Sequence, residues 1–224
     1  MNTAFTRSSN HGFTLVEMFV ILAVIAILAV LLPPALASAK KKAQRINCVN
    51  NLKQTGLAFR VWAGDQTDKF PMEISTSKGG TKEFDTGADA FHHFQIMSNE
   101  LSTPRILVCP ADTRVAAANF VRLKNQNVSY FVGLDASDYR EGLEGRPQTF
   151  LDGDRNLTGL AEPKNGILKL VPGGPADWTE EIHVSQGNIG LSDGSVWQYS
   201  NSQLREALKN SGTATNTWRI ALPE

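Results

Sequence analysis

The 224-residue chain carries 22 basic and 22 acidic side chains, so its formal charge is zero and the electrostatic footprint of a nucleic-acid binder is missing. Setting aside one strongly apolar block near the start leaves enough chain for one modest domain. Its two cysteines, Cys48 and Cys109, stand too far apart in sequence for a C-x-x-C zinc or redox pair, and read as disulfide partners or as two free thiols.

The first twelve residues, MNTAFTRSSNHG, are polar and include Arg7 and His11. From Phe13 to Leu32 the sequence reads FTLVEMFVILAVIAILAVLL, in which Glu17 is the only charge. Rising about 1.5 Å per residue, a helix over this run spans roughly 30 Å, the thickness of a bilayer core. Lys40, Lys41 and Lys42 follow it, so basic charge flanks the span on both sides and leaves the orientation open. The run is longer than the apolar region of a secretory signal peptide and ends in Pro33-Pro34, although Ala35, Ala37 and Ala39 could imitate a small-residue cleavage site. An uncleaved membrane anchor is the other plain reading, and it has no use for Glu17. A charge in that setting costs roughly 2.5–3.5 kcal/mol on insertion scales, so one that persists calls for a partner or a function.

His11-Gly12-Phe13-Thr14-Leu15-Val16-Glu17, with the apolar run directly behind it, resembles the prepilin cleavage and methylation motif of type IV pilins and type II secretion pseudopilins. The resemblance implies a leader of residues 1–12, cut after Gly12 by a membrane aspartyl prepilin peptidase that also methylates the new N-terminal residue, Phe13. It implies a transmembrane helix over 13–32, a periplasmic continuation over 33–63 and a globular α+β domain over 64–224. The expected fold is pilin-like, with the long N-terminal helix packed on a C-terminal domain that holds a small antiparallel sheet. Other pilin or pseudopilin subunits, the prepilin peptidase, an inner-membrane assembly platform and membrane lipid are the partners it implies. The chain would be a single-pass inner-membrane protein whose C-terminal domain is periplasmic, or extracellular after assembly, and would not be an enzyme. In a staggered bundle, Glu17 of one subunit would meet the Phe13 amine of its neighbour. An unpaired buried charge is expensive, so this pair would set the axial register of a filament.

Beyond the span, Pro33 and Pro34 each remove a helical donor and predict a kink or local opening, after which helical character resumes to about Ala63. At 100° per residue Cys48, Leu52, Phe59 and Trp62 share one sector, while Ile46, Leu57 and Val61 lie nearly opposite. Two apolar faces need two partners: the chain's own domain on one side and neighbouring subunits on the other, although burial in a single core fits the periodicity equally well. Gly64, Asp65 and Pro71 signal the helix end. A polar loop over 75–82 and an amphipathic helix over 88–101 come next, then strands over 128–134, 166–171, 188–191 and 195–199. Asp193-Gly194 reads as a two-residue type I′ hairpin turn, and Ser202 as the N-cap of a closing helix to Lys209.

Cys48 with Asn50-Asn51-Leu52-Lys53-Gln54, Cys109-Pro110-Ala111-Asp112, and His183 followed after nine residues by Asp193-Gly194 are similar to motifs of a large bacterial group of pilin-like proteins, the last being that group's C-terminal H-x9-DG pattern. The pattern carries no catalytic assignment; a folding role near the hairpin is the expectation for His183. After export, Cys48 and Cys109 would face an oxidising compartment and are expected to pair. No metal is assigned. His92 and His93 point about 100° apart on a helix, and Asp65 and Asp68 lack the oxygen pattern of an EF-hand loop. Major pseudopilins hold a structural calcium, for which Asp152 and Asp154 are merely the densest acidic pair, so calcium stays open and unassigned. No nucleophile elbow, phosphate loop or dinucleotide fingerprint occurs. A membrane-tethered ligand-binding or adhesive domain using a pilin-like export segment is the competing functional class.

Overall fold

The computed structural model describes residues 12, 14–136, 149–211 and 217–223. It divides into two units, Met1–Lys42 and Ala43–Glu224. A first helix, α1, runs from Leu15 to Gly64 and ends at the predicted glycine. It stays helical through Pro33 and Pro34, where an opening is predicted. The prolines withdraw the donors to the carbonyls of Ala29 and Val30, and the turns on either side hold the helix across that gap.

In the first unit every described side chain of the helix is exposed, Leu15 at 72% and Val30 at 73% among them. By length and composition this segment can cross a membrane, its mean hydropathy reaching 3.1. Its start is a capping box. The Thr14 backbone N–H and hydroxyl both donate to Glu17 Oε2 at 2.8 Å, and the Glu17 N–H donates to Thr14 Oγ1 at 3.2 Å.

In the second unit residues 43–64 of α1 form one wall of the core, with Cys48, Leu52, Phe59 and Ala63 at 0% exposure. The opposite face stays open, with Ile46 at 48%, Leu57 at 60% and Val61 at 50%, as the two-faced periodicity predicts. The predicted helix over 88–101 is two shorter ones, α2 (Ala90–Gln95) and α3 (Ser98–Leu101). The strands are β1 (Tyr130–Gly133), β2 (Phe150–Asp154), β3 (Leu157–Thr158), β4 (Ile167–Leu170), β5 (Asp177–Trp178), β6 (Gln186–Leu191), β7 (Val196–Ser200) and β8 (Trp218–Ala221), with helix α4 (Asn201–Ser211) between the last two. Among the described residues six strands form one antiparallel sheet in the order β4-β8-β1-β2-β6-β7, and β3 pairs with β5. The fold is therefore α+β: a long N-terminal helix followed by a domain built on an antiparallel sheet. Alternation along β1 sends Tyr130 and Val132 into the core shared with α1, and Phe131 into the core shared with α4.

Two local devices differ from expectation. The β6–β7 hairpin closes with Gly194 N–H donating to Leu191 O and Leu191 N–H donating to Ser195 O, both at 2.9 Å. Gly194 has a φ of 84° and Asp193 is not left-handed, so this is a three-residue loop ending in a glycine bulge rather than a type I′ turn. Asp193 Oδ1 accepts from the Ser195 N–H at 2.8 Å and stabilises that form. The helix α4 is capped by Ser200, not Ser202: Ser200 N–H donates to Gln203 Oε1 at 3.0 Å and Ser200 Oγ accepts from Gln203 N–H at 3.4 Å, a capping box two residues earlier.

Candidate functional site

The chemistry of the second unit concentrates where α1 crosses the sheet. Cys48 comes from α1, and Cys109 from the turn after a 3-10 helix at Pro104–Leu107. Asp154 ends β2, and His183 sits in the turn before β6. The four potential ligand atoms all lie within 4.8 Å of one another. Cys48 Sγ donates to Asp154 Oδ1 at 3.0 Å, Cys109 Sγ meets His183 Nε2 at 3.3 Å, and His183 Nε2 lies 3.6 Å from Asp154 Oδ2.

Two of the four segments are bent to deliver their side chains. The register between β2 and β6 shifts between Phe150 and Asp152, where Leu151 is the extra residue of a bulge. Phe150 faces the α4 core and Leu151 the α1 core, so the bulge reverses the alternation and turns Asp152 and Asp154 toward α1. Asp152 meets the Thr55 hydroxyl there, and Gly190 lies opposite because a Cβ would stand 2.0 Å from Asp152 Oδ1. His183, Val184 and Ser185 are left-handed in succession, with φ of 58°, 53° and 55°. That conformation costs about 1–2 kcal/mol for each residue with a Cβ, and the strain is concentrated where His183 enters the cluster.

A second set of bonds fastens the segments together. Arg155 grips Asp112 with two bonds of 2.9 Å and Glu181 with a third of 2.9 Å. These three residues neighbour Asp154, Cys109 and His183 in sequence, so one guanidinium ties three of the four contributing segments. Asn156 Nδ2 donates to Ile182 O at 2.8 Å and Thr179 O at 3.0 Å, bracing the left-handed turn. Asn188 donates to Asp154 Oδ2 through its backbone N–H at 2.7 Å and its side chain at 2.8 Å.

The electrostatics follow from crowding acids in a dry site. Burial pushes the Cys48 thiol well above its ordinary value, and the Cys109 and Asp154 charges add to the effect. The neighbouring Cys48 thiol, with help from His183, outweighs burial at Cys109 and holds it at about 5. Burial, with the Cys109 charge, raises Asp154 to about 6. Burial lowers His183, but Cys109 and Asp154 overcome it and leave the imidazole above its ordinary value. Burial raises Asp152 to about 7.

Several sequence expectations are revised here. Distance along the chain does not keep Cys48 and Cys109 apart. Both are free cysteines in one cluster, with Cys48 Sγ against Asp154 and Cys109 Sγ against His183. His183 is not beside the Asp193-Gly194 hairpin. The six residues of β6 separate them, roughly 20 Å of strand, and Asp193 O instead accepts from Arg60 Nη1 at 2.8 Å. Asp152 meets the Thr55 hydroxyl, and Asp154 faces sulfur and imidazole nitrogen. His93 is committed to Thr81 and to Phe84 O.

At the N-terminus, Gly12 is exposed and Phe13, the expected methylation site, lies outside the described residues. Residues 7–33 match the family model of the prokaryotic N-terminal methylation motif. This match supports a type IV pilin-like protein. No curated protein and no solved structure matches it. A methylation motif joined to one long apolar helix supports a prepilin-processed chain, fits a single-pass membrane anchor, and suggests assembly with other pilin subunits.

Proposed function

We propose that the chain is a structural subunit of a type II secretion pseudopilus or a related type IV pilus filament, without catalysis of its own. A prepilin peptidase cuts after Gly12 and methylates Phe13, the second unit lies on the periplasmic side, and an inner-membrane platform draws the helix into the filament. The observation that carries this reading is the methylation motif at residues 7–33, which runs directly into the span and places Glu17 at its start. A second feature supports it. The open face of α1 at Leu57 and Val61 borders a groove of about 280 Å³ that Gln54, Glu100 and Ile106 also line, an apolar surface on which a neighbouring subunit can pack.

Mass spectrometry of the protein taken from membranes tests the processing. The expected mature chain starts at N-methyl-Phe13 and lacks residues 1–12; a chain starting after Ala37 or Ala39 would rule the reading out.

A further inference from the structure

We propose that Cys48, Cys109, Asp154 and His183 bind one zinc ion, which clamps the base of α1 to the sheet. Zinc takes thiolate, imidazole and carboxylate ligands in tetrahedral sites with bonds of about 2.0–2.3 Å, which places ligand atoms roughly 3.3–3.8 Å apart. Cys48 Sγ stands 3.0 Å from Asp154 Oδ1 and Cys109 Sγ 3.3 Å from His183 Nε2, and all four ligand atoms lie within 4.8 Å of one another, so small side-chain movements close the shell.

Three observations favour an ion over a set of internal hydrogen bonds. The first is crowding. Two sulfurs, a carboxylate oxygen and an imidazole nitrogen from four separate segments converge within 4.8 Å, and Cys48 Sγ points its S–H at Asp154 Oδ1, an arrangement that a cation relieves by replacing the proton. Binding releases the thiol protons to solvent, and the carboxylate oxygen that held the Cys48 proton becomes a ligand. The second is support behind the ligands. Asp154 Oδ2 keeps both bonds from Asn188 while Oδ1 turns to the metal, and Arg155 holds the neighbouring segments through Asp112 and Glu181. The third is charge. Two thiolates, a carboxylate and a neutral imidazole around a divalent ion leave one negative charge. Arg45, close enough to feel Asp154 and Cys48, has a buried Nε without a partner among the described residues and supplies the balancing cation.

Four protein ligands leave no open position, so the site is structural rather than catalytic. It joins α1, the Cys109 turn, β2 and the left-handed turn, segments that share no stretch of sequence. Held thiolates would also resist forming a disulfide in an oxidising compartment.

The test uses the full chain purified in detergent. Elemental analysis should find one zinc per chain, and a thiol reagent should reach Cys48 and Cys109 only after a chelator is added. Cobalt(II) in place of zinc should give thiolate charge-transfer bands with strong tetrahedral absorption. Cys109→Ser and His183→Gln should each lose stoichiometric zinc. A chain that retains no zinc after incubation with Zn²⁺ and desalting overturns the proposal. So does a peptide map that recovers Cys48 linked to Cys109, or a cobalt spectrum without sulfur ligation. The cobalt spectrum is read on the unaltered chain, so the result does not depend on the folding of either variant.

Discussion

Between Leu15 and Leu36 the described apolar side chains lie open, while on β2 the carboxylates of Asp152 and Asp154 are at 0% exposure. The two regions reverse the usual rule in opposite directions, and each reversal has its own resolution. Exposed apolar surface on a helix of bilayer length is satisfied from outside the chain, by lipid tails and by other subunits. Buried charge on a central strand can be satisfied only from inside, by Thr55, Asn188, Cys48 and His183. Substitutions in the first region should therefore alter assembly with little effect on folding, and substitutions in the second should do the reverse.

The largest effect is expected at Glu17. Glu17→Ala should insert and lose its leader normally, since both the span and the scissile bond remain, yet form no filaments because the Phe13 amine of a neighbour loses its buried partner. The capping box complicates that variant, because Ala also removes the acceptor for Thr14 and weakens the first turn of the helix. Glu17→Gln separates the two roles: it keeps an acceptor oxygen for Thr14 and removes only the charge. Sheared filaments, leader removal and membrane insertion should be scored in parallel for both. Wild-type filament yield from Glu17→Gln would make the residue a helix cap and remove the register mechanism.

The second effect belongs to the buried region. The Asp112 side chain is only 1% exposed and receives both arms of Arg155, so Asp112→Ala should destabilise the second unit by on the order of 3 kcal/mol, because it strands a partly buried guanidinium. Glu181, 60% exposed on the same arginine, is the control, and its removal should cost less than about 1 kcal/mol. Denaturant unfolding followed by tryptophan fluorescence reads both, while leader removal should be unchanged in either. Equal losses would mean that burial does not set the strength of this brace.

The two regions were also unequally legible. The motif around Gly12, Glu17 and the apolar span are contiguous in sequence, and the match over residues 7–33 covers them. The two faces of α1 were legible too, since periodicity is a local property. The strand β2 was not. Phe150-Leu151-Asp152-Gly153-Asp154 has the composition of a turn, and only tertiary hydrogen bonds make it a buried central strand. Cys48, Cys109, Asp154 and His183 come together through a bulge and a left-handed turn that propensity argues against, Val184 at a φ of 53° above all. In sequence Cys48 stands out with Cys109, Asp154 with Asp152 and His183 with Asp193-Gly194, and only cysteine, histidine and acidic residues taken together without regard to spacing would join them.

The smallest effect concerns a buried polar group away from the cluster. His93 is fully buried, with Nδ1 2.7 Å from Thr81 Oγ1 and Nε2 2.9 Å from Phe84 O. A carbonyl only accepts, so Nε2 carries the hydrogen and Nδ1 accepts from the threonine: the ring is neutral, and protonating it would force Thr81 to turn from donor to acceptor. Burial accordingly lowers its pKa to about 4 from an ordinary 6.5. Between those values the unfolded chain takes up a proton that the folded chain refuses, so acid favours unfolding, and the stability is lost as pH falls through this window. From pH 7 to pH 5 the linkage amounts to about 2 kcal/mol. Asp152, raised to about 7, titrates over part of the same range with the opposite sign, so wild type alone cannot isolate the histidine. The comparison with His93→Gln can, because glutamine offers a donor and an acceptor but no proton equilibrium. Unfolding measured at both pH values should show wild type losing about 2 kcal/mol more than the variant. The same pH dependence in both proteins would mean that His93 is not held neutral in the core.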